Sequence, residues 1–277
     1  MRLRARFLFL LFFLPMPVLA AAERVVEWGV VRDVVDGDTV ILENGEAVRL
    51  VGIQAPTLSL GRSGVASQPL ADAAREALAD FALGRKIQLR FFGRQRDRHG
   101  RLLAHLFVNG QDRGGQDRGG QDQGGQDQSD GEWLQGKMLS RGLARVYSFT
   151  DNRARIALML ALERKARAEK RGIWAHPFYR VLDVGGAADR LNRFALVTGR
   201  VRKALVVKGR GYLNFGDDWR KDFTIAISPK ARRVFEREGA DISAYAGKRV
   251  RVRGWIKRFN GPMIEATHPE QIEILEE

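Results

Sequence analysis

The sequence predicts a mainly β protein with helices: a small five-stranded barrel carrying three helices, then a second small β domain, also barrel-like. Three observations predict it. Short alternating apolar runs are divided by Asp-Gly and Asn-Gly pairs. Longer runs of Ala, Leu and charged residues keep a helical period and stop at glycine. A Gly-Gly pair at 185–186 separates one such series from the next. At 277 residues the chain can bury one large core or two small ones.

Residues 1–22 read as an export signal. Arg2, Arg4 and Arg6 form a positive start, residues 7–14 an unbroken apolar run, and Val18-Leu19-Ala20 a small-residue cleavage point. A retained anchor is the competing reading, but the run is short for a span of about 30 Å and Pro15 and Pro17 interrupt it. The expected location after cleavage is the periplasm or the medium, with no later segment able to cross a bilayer.

The first domain is expected over 23–180. Strands are read at 30–35 and 39–42, joined by the turn at Asp36-Gly37, and at 47–53 after the Asn44-Gly45 turn. Pro69 opens a helix ending near Gly84, with Ala74, Ala77, Leu78 and Phe81 at helical spacing. Residues 86–92 and 101–108 give two more strands around the basic turn 94–100, completing five. A barrel is the arrangement in which so short a set leaves no open edge. Residues 111–130 then repeat QDRGG and QDQGG without one apolar side chain, so a solvated, disordered insert is expected rather than a calcium-binding coil. Two helices follow, at 131–141 and 153–171, with Trp174 expected to pack back on the barrel.

Residues 181–190 are read as a linker to a C-terminal domain over 191–277. Strands are expected at 194–201, 204–207, 223–227, 248–256, 263–265 and 272–274, with a short helix at 232–239. Five or six short strands around one helix suggest a barrel of the oligonucleotide-binding type.

Charge narrows the partners. The chain has 47 Lys and Arg against 33 Asp and Glu, a net +14, which favours polyanions such as nucleic acid or an anionic membrane surface. Cysteine is absent, which excludes disulfides, thiolate nucleophiles and cysteine metal sites. Within the first domain, Asp36 and Asp38 offer hard oxygen ligands at a hairpin end, although Asp-Gly is also ordinary turn chemistry. Arg49 and Arg101 supply forks that can grip phosphate oxygens and oppose charge developing during phosphodiester cleavage.

The motifs Asp36-Gly37-Asp38-Thr39-Val40, Arg49-Leu50-Val51-Gly52-Ile53, Ala55-Pro56, Asp97-Arg98-His99-Gly100-Arg101-Leu102 and Gly172-Ile173-Trp174 come in an order that resembles the staphylococcal nuclease family over residues 25–178. The resemblance implies a five-stranded oligonucleotide-binding barrel with three helices that cuts DNA and RNA with one Ca²⁺. It implies Asp38 as first metal carboxylate with Asp36 beside it, Thr39 as support, and Arg49 and Arg101 as the phosphate-gripping arginines. The chain departs from the family where chemistry is most sensitive. Gln54 stands at the second metal aspartate, Ala55 at the following threonine, and Thr57 at the glutamate that activates water. Glutamine still offers a neutral oxygen, but a hydroxyl without a neighbouring base cannot take a proton near neutral pH. Asp72, Glu76 and His99 are the candidate substitutes.

In the second domain, Arg249, Arg251 and Arg253 alternate with apolar residues, so they share one side of a strand. Tyr212, Phe215, Trp219 and Phe223 are interleaved with basic residues, a composition suited to a single strand whose bases stack on rings. The plainer alternative has Phe215, Phe223 and Trp255 filling a small core. The residues expected to contact nucleic acid are Arg98, Tyr212, Arg249, Arg251 and Arg253, and the substrate is expected to be DNA or RNA, single-stranded. Three functions stay open: a Ca²⁺-assisted exported phosphodiesterase, a nucleic-acid-binding protein on a degenerate nuclease barrel, and a protein or envelope interaction module.

Overall fold

The computed structural model describes residues 25–61, 64, 66–108 and 131–276. The export segment 1–22 and the repeat 111–130 lie outside the described residues.

The first barrel is built by β1 (Val25–Asp36), β2 (Thr39–Leu42), β3 (Ala47–Leu50), β5 (Lys86–Phe91) and β6 (Leu102–Val108), with β4 (Gly52–Gln54) leaving it between β3 and β5. The strands pair in the order β3-β2-β1-β5-β6, and a parallel β3–β6 pairing closes the ring. Closure leaves the five strands without a free edge, as expected from their shortness. Val40, Val48, Leu50, Ala104 and Leu106 point inward and are fully buried. The helices α1 (Ala71–Ala82), α2 (Leu134–Ser140) and α3 (Ile156–Ala168) cover the barrel through Ala74, Leu78, Met138, Leu139 and Met159.

Two glycines direct this arrangement. A Cβ on Gly37 would lie 2.7 Å from those of Ala55 and Ala74, so the turn between β1 and β2 wedges against α1 only without a side chain. Gly52 has φ +86°, a left-handed conformation that swings the chain off the barrel after β3. The segment that follows, β4, then pairs antiparallel with β8 (Arg145–Tyr147), setting Gln54 opposite Arg145. Neither β8 nor the two-residue β7 (Glu132–Trp133) is evident from the sequence.

The second β region contains β9 (Leu182–Asp183), β10 (Phe194–Arg200), β11 (Lys203–Val207), β12 (Arg210–Asn214), β13 (Thr224–Ile227), α4 (Pro229–Arg237), β14 (Arg249–Phe259), β15 (Gly261–Glu265) and β16 (Ile272–Ile274). Ser228 caps α4 by accepting a hydrogen bond from the Ala231 amide, and Pro229 occupies the first turn. The sheet runs β11-β12-β13-β15-β14-β10-β9, with β16 on β14. It is open, which corrects the expected second barrel: its hydrogen-bonded path ends at β11 and β9 rather than closing. The physical reason lies at Val201 and Arg202, where one strand becomes two: β10 bonds to β14 while β11 turns to β12. Residues 181–190 are ordered here, with β9 parallel to β10 and Ala187 buried.

The two regions are bolted together by ionic and polar contacts. Arg253 on β14 is 1% exposed and donates to both Glu163 oxygens on α3 at 3.0 Å, and also to Glu273. Glu163 is itself fully buried and accepts from the Val146 amide at 2.6 Å and from Arg167 at 2.9 Å. Ser148 meets His268 at 2.7 Å, and Arg153 bridges to Glu238 and Glu270. No helix among the described residues is long and apolar enough to cross a membrane.

Candidate functional site

The first-barrel site begins with the two-residue turn between β1 and β2. Asp36 ends one strand, Asp38 sits in the turn, and the Asp38 amide donates to Asp36 Oδ1 at 3.1 Å. Asp38 is 4% exposed. Its Oδ1 accepts from Arg49 Nη1 at 2.7 Å and from Thr39 Oγ1 at 3.1 Å, and its Oδ2 accepts from the Ala55 amide at 3.0 Å. Burial, with the Asp38 carboxylate as second cause, pushes the Asp36 carboxyl up to about 6.

Strand register sets Arg49 between β2 and β6. Thr39 pairs with Arg49 across β2 and β3, and Arg49 pairs with Leu103 across β3 and β6. Arg101 lies two residues before Leu103, at the mouth of β6. Each guanidinium is held by one carboxylate: Arg49 by Asp38, and Arg101 by Asp97 at 2.8 Å through Nε and Nη2. Burial pushes the Asp97 carboxyl up, but Arg101 and the turn amides outweigh it and hold it below the ordinary carboxylate range. A guanidinium has five N–H donors, so both side chains are oriented with donors to spare for phosphate. Asp36, Asp38 and Arg49 are joined by hydrogen bonds, while Arg101 is bonded to Asp97 on the 94–100 turn.

Gln54 and Thr57 are placed elsewhere. Gln54 turns its amide oxygen to Arg145 Nη2 at 3.2 Å, because β4 and β8 set the two residues opposite one another. Thr57 lies on the loop after β4, where its amide donates to Gln68 at 3.2 Å. Both residues line a cleft of about 480 Å³ between the barrel and the second β region. Among the described residues no group of three His, Cys, Asp or Glu side chains could hold a metal ion. Ca²⁺ asks for six to eight oxygens. Here the donor set is two aspartates, with Asp38 already accepting three protein hydrogen bonds and the Gln54 oxygen committed to a guanidinium. These residues do not fit a preformed Ca²⁺ site, and the Gln54 oxygen here is the partner of Arg145.

Among the described residues, nothing orients the substitute bases toward the turn by a hydrogen bond to its residues. Asp72 and Glu76 are exposed on α1, and His99 Nε2 accepts from its neighbour Arg98 Nε at 3.0 Å on the exposed 94–100 turn. Arg98 itself is exposed, as a phosphate contact requires.

In the second region the shared face of Arg249, Arg251 and Arg253 is real, but it dives into the interface along the strand. Arg249 is exposed, Arg251 half-buried, and Arg253 sealed between Glu163 and Glu273. Arg253 is thereby corrected from a nucleic-acid contact to an internal ion pair. Tyr212 lines a smaller apolar cavity of about 320 Å³ with Trp219 and Phe259. Phe215 and Phe223 are core residues, whereas Trp255 is 44% exposed and donates to the Tyr147 hydroxyl at 3.2 Å.

The residue that sequence reasoning missed is Arg145. It is 7% exposed, donates to the Phe194 carbonyl at 3.1 Å and to Gln54, and has no ion-pair partner among the described residues. Burial lowers its pKa to about 10, with Tyr179 and Glu163 only partly opposing. One basic residue in a strand of three carries no local signal of such a role.

Comparison with known proteins agrees with the barrel. Residues 47–176 match the family model of staphylococcal nuclease homologues, leaving the remainder unassigned. The chain is 32% identical over 150 residues to the SPbeta prophage-derived endonuclease YokF and 30% identical over 150 residues to endonuclease YncB, both from Bacillus subtilis (strain 168). It is 28% identical over 171 residues to probable endonuclease LCL3 from Phaeosphaeria nodorum. These matches cover 52%, 52% and 58% of this chain, but only 43%, 60% and 49% of the relatives.

Proposed function

We propose that this chain, whose residues 47–176 form a staphylococcal nuclease-like domain, binds single-stranded DNA or RNA by its phosphodiester backbone without the turnover of a working nuclease. The observation that carries this reading is the split fate of the family positions. Arg49 and Arg101 are each oriented by a carboxylate with N–H donors to spare, while Gln54 is bonded to Arg145 and Thr57 supplies no base. Phosphate recognition needs only the guanidinium forks and the surrounding positive field, and a net +14 supplies the latter. Hydrolysis needs in addition a proton acceptor for the attacking water, whose loss alone costs roughly 10²–10⁴ in rate.

In the bound complex, Arg49 would present its remaining N–H groups to a non-bridging phosphate oxygen while Asp38 fixes its orientation. Arg101, steadied by Asp97, would meet the same or the adjacent phosphate from β6. Asp36 and Asp38 keep the turn acidic, so the backbone must approach from the arginine side.

A second reading, an endonuclease that cuts with added Ca²⁺, is favoured by the names of the relatives and by the intact turn, Asp38 and arginine pair. One experiment separates the two: fluorescent single-stranded DNA and a matched RNA are incubated with the full chain, with and without Ca²⁺, beside an Arg49→Ala/Arg101→Ala variant. The binding reading expects salt-sensitive binding that the double variant weakens, and intact strands. Calcium-dependent cuts lost in the double variant would replace it with the endonuclease. Export to the periplasm or the medium belongs to the same proposal, and N-terminal sequencing of the fractionated protein tests it.

A further inference from the structure

The cleft between the barrel and the second β region adjoins the barrel site through Gln54 and Thr57, but the rest of its lining plays no part in the reading above. It has a volume of about 480 Å³, within the range of small-ligand sites. Its described lining includes Arg145, Arg180, Arg190 and Arg193 and not one carboxylate. That imbalance contrasts with the buried Arg253, which is matched by Glu163 and Glu273. Arg145 is nearly buried, hydrogen-bonded to two neutral oxygens and set over the Phe194 and Tyr179 rings. It has no carboxylate in ion-pair contact among the described residues, so an anion in the cleft would be favoured beside it. Arg180, Arg190 and Arg193 form no ion pair among the described residues. Arg190 and Arg193 converge on the Phe178 ring, with guanidinium carbons 5.9 and 5.4 Å from its centre. Trp174 and Trp255 also line the cleft.

Guanidinium forks beside aromatic rings are the chemistry of a phosphate attached to a base. The geometry points to a second site: we propose that this cleft binds a nucleoside phosphomonoester, with Arg145, Arg190 and Arg193 toward the phosphate and Phe178 and Trp255 toward the base. Such a group exists as a free nucleotide and as the phosphorylated end of a strand. The inference deepens the nucleic-acid reading above and rests on it for the second of these sources. It also gives the Gln54 departure a consequence: a carboxylate there would neutralise Arg145 and close the cleft to anions.

The test is calorimetric titration of the full chain with adenosine 5′-monophosphate, adenosine and inorganic phosphate. The expected result is saturable binding of the monophosphate, about tenfold or more tighter than adenosine, as charge-assisted hydrogen bonds require. Inorganic phosphate should bind more weakly than the monophosphate, because it lacks the stacking base. Arg190→Ala/Arg193→Ala, altered at the rim of the cleft, should lose about tenfold or more in affinity with an unchanged melting curve. Arg233→Ala, an exposed change on α4 outside the cleft, should bind the monophosphate as the parent does. Equal affinity for monophosphate and adenosine, or no effect of the Arg190/Arg193 change, would overturn the proposal. So would an equal loss in Arg233→Ala, which would place binding outside the cleft.

Two single strands differing only in a 5′-phosphate distinguish the sources, a preference for the phosphorylated one identifying a strand end and equal binding a free nucleotide. Strand binding in the Arg49/Arg101 variant reports on the barrel separately, so each reading can fail alone.

Discussion

Replacing Arg253 with methionine tests whether the buried ion pair fastens the two regions. Methionine conserves much of the volume but leaves Glu163 and Glu273 without the cation between them. Breaking a buried pair from one side costs about 3–5 kcal/mol. Two residual contacts argue for the lower end. Glu163 keeps Arg167 at 2.9 Å and the Val146 amide at 2.6 Å, and Glu273 keeps Arg164 at 3.4 Å. A loss of about 3 kcal/mol in a chain of this size lowers the melting temperature by about 6–12 °C. Thermal and urea unfolding of the purified variant measure it, with Arg258→Met, an exposed change on the same strand, as a control expected within about 0.5 kcal/mol of the parent. Adding Glu163→Gln should restore part of the loss, because the uncompensated charge is then gone. A loss under about 1 kcal/mol in Arg253→Met, or a double variant worse than the sum of the singles, would refute the reasoning.

Three other outcomes follow from the same physics. Gln54→Glu gives Arg145 a charged partner of the same length and is expected to stabilise by about 1–2 kcal/mol in thermal unfolding, with the cleft losing its preference for phosphate over the bare nucleoside. His268 is held neutral by burial, its pKa lowered to about 4, so its contribution is full above the unfolded value of 6.5 and is lost as pH falls toward 4. That gap corresponds to about 3 kcal/mol, and His268→Gln should flatten the acid limb of a stability–pH curve between those values. Asp36 behaves oppositely: its raised pKa of about 6 makes stability fall as pH rises from about 4 to 6, so Asp36→Asn should gain up to about 3 kcal/mol at pH 7.5 and nothing at pH 4.

Much of the barrel was readable in advance because its signals are local. The Asp36-Gly37 and Asn44-Gly45 turns, the alternation in 39–42 and the helical spacing of Ala74, Ala77, Leu78 and Phe81 each depend on neighbours within one or two turns. The helix-like run at 153–171 became α3, although its start was late by three residues at Ile156. The misses share a different character. β12 over Arg210–Asn214 was hidden because Tyr212 and Leu213 sit among Gly and Arg and show no clean alternation. Trp255 reads as core by size, yet its strand leaves the sheet's covered face and exposes it. Alternation correctly put Arg249, Arg251 and Arg253 on one side, but it could not say that α3 lies against the far end of that side.

The sequence by itself determined the barrel, the acidic turn, the positions of Arg49 and Arg101 and the loss of the family's second aspartate and glutamate. Each of these is written in residue identity at short spacing. Only the tertiary structure decided what the replacements do. Gln54 meets Arg145 across 91 residues, and Arg253 meets Glu163 across 90. Such pairs form because a left-handed Gly52 diverts one strand and a helix docks on a second sheet, and both are consequences of packing the whole chain. Alternation marked Arg253 for the surface and nothing local marked Arg145, and burial decided both: one cation is neutralised inside an interface, the other stands at the wall of a cleft.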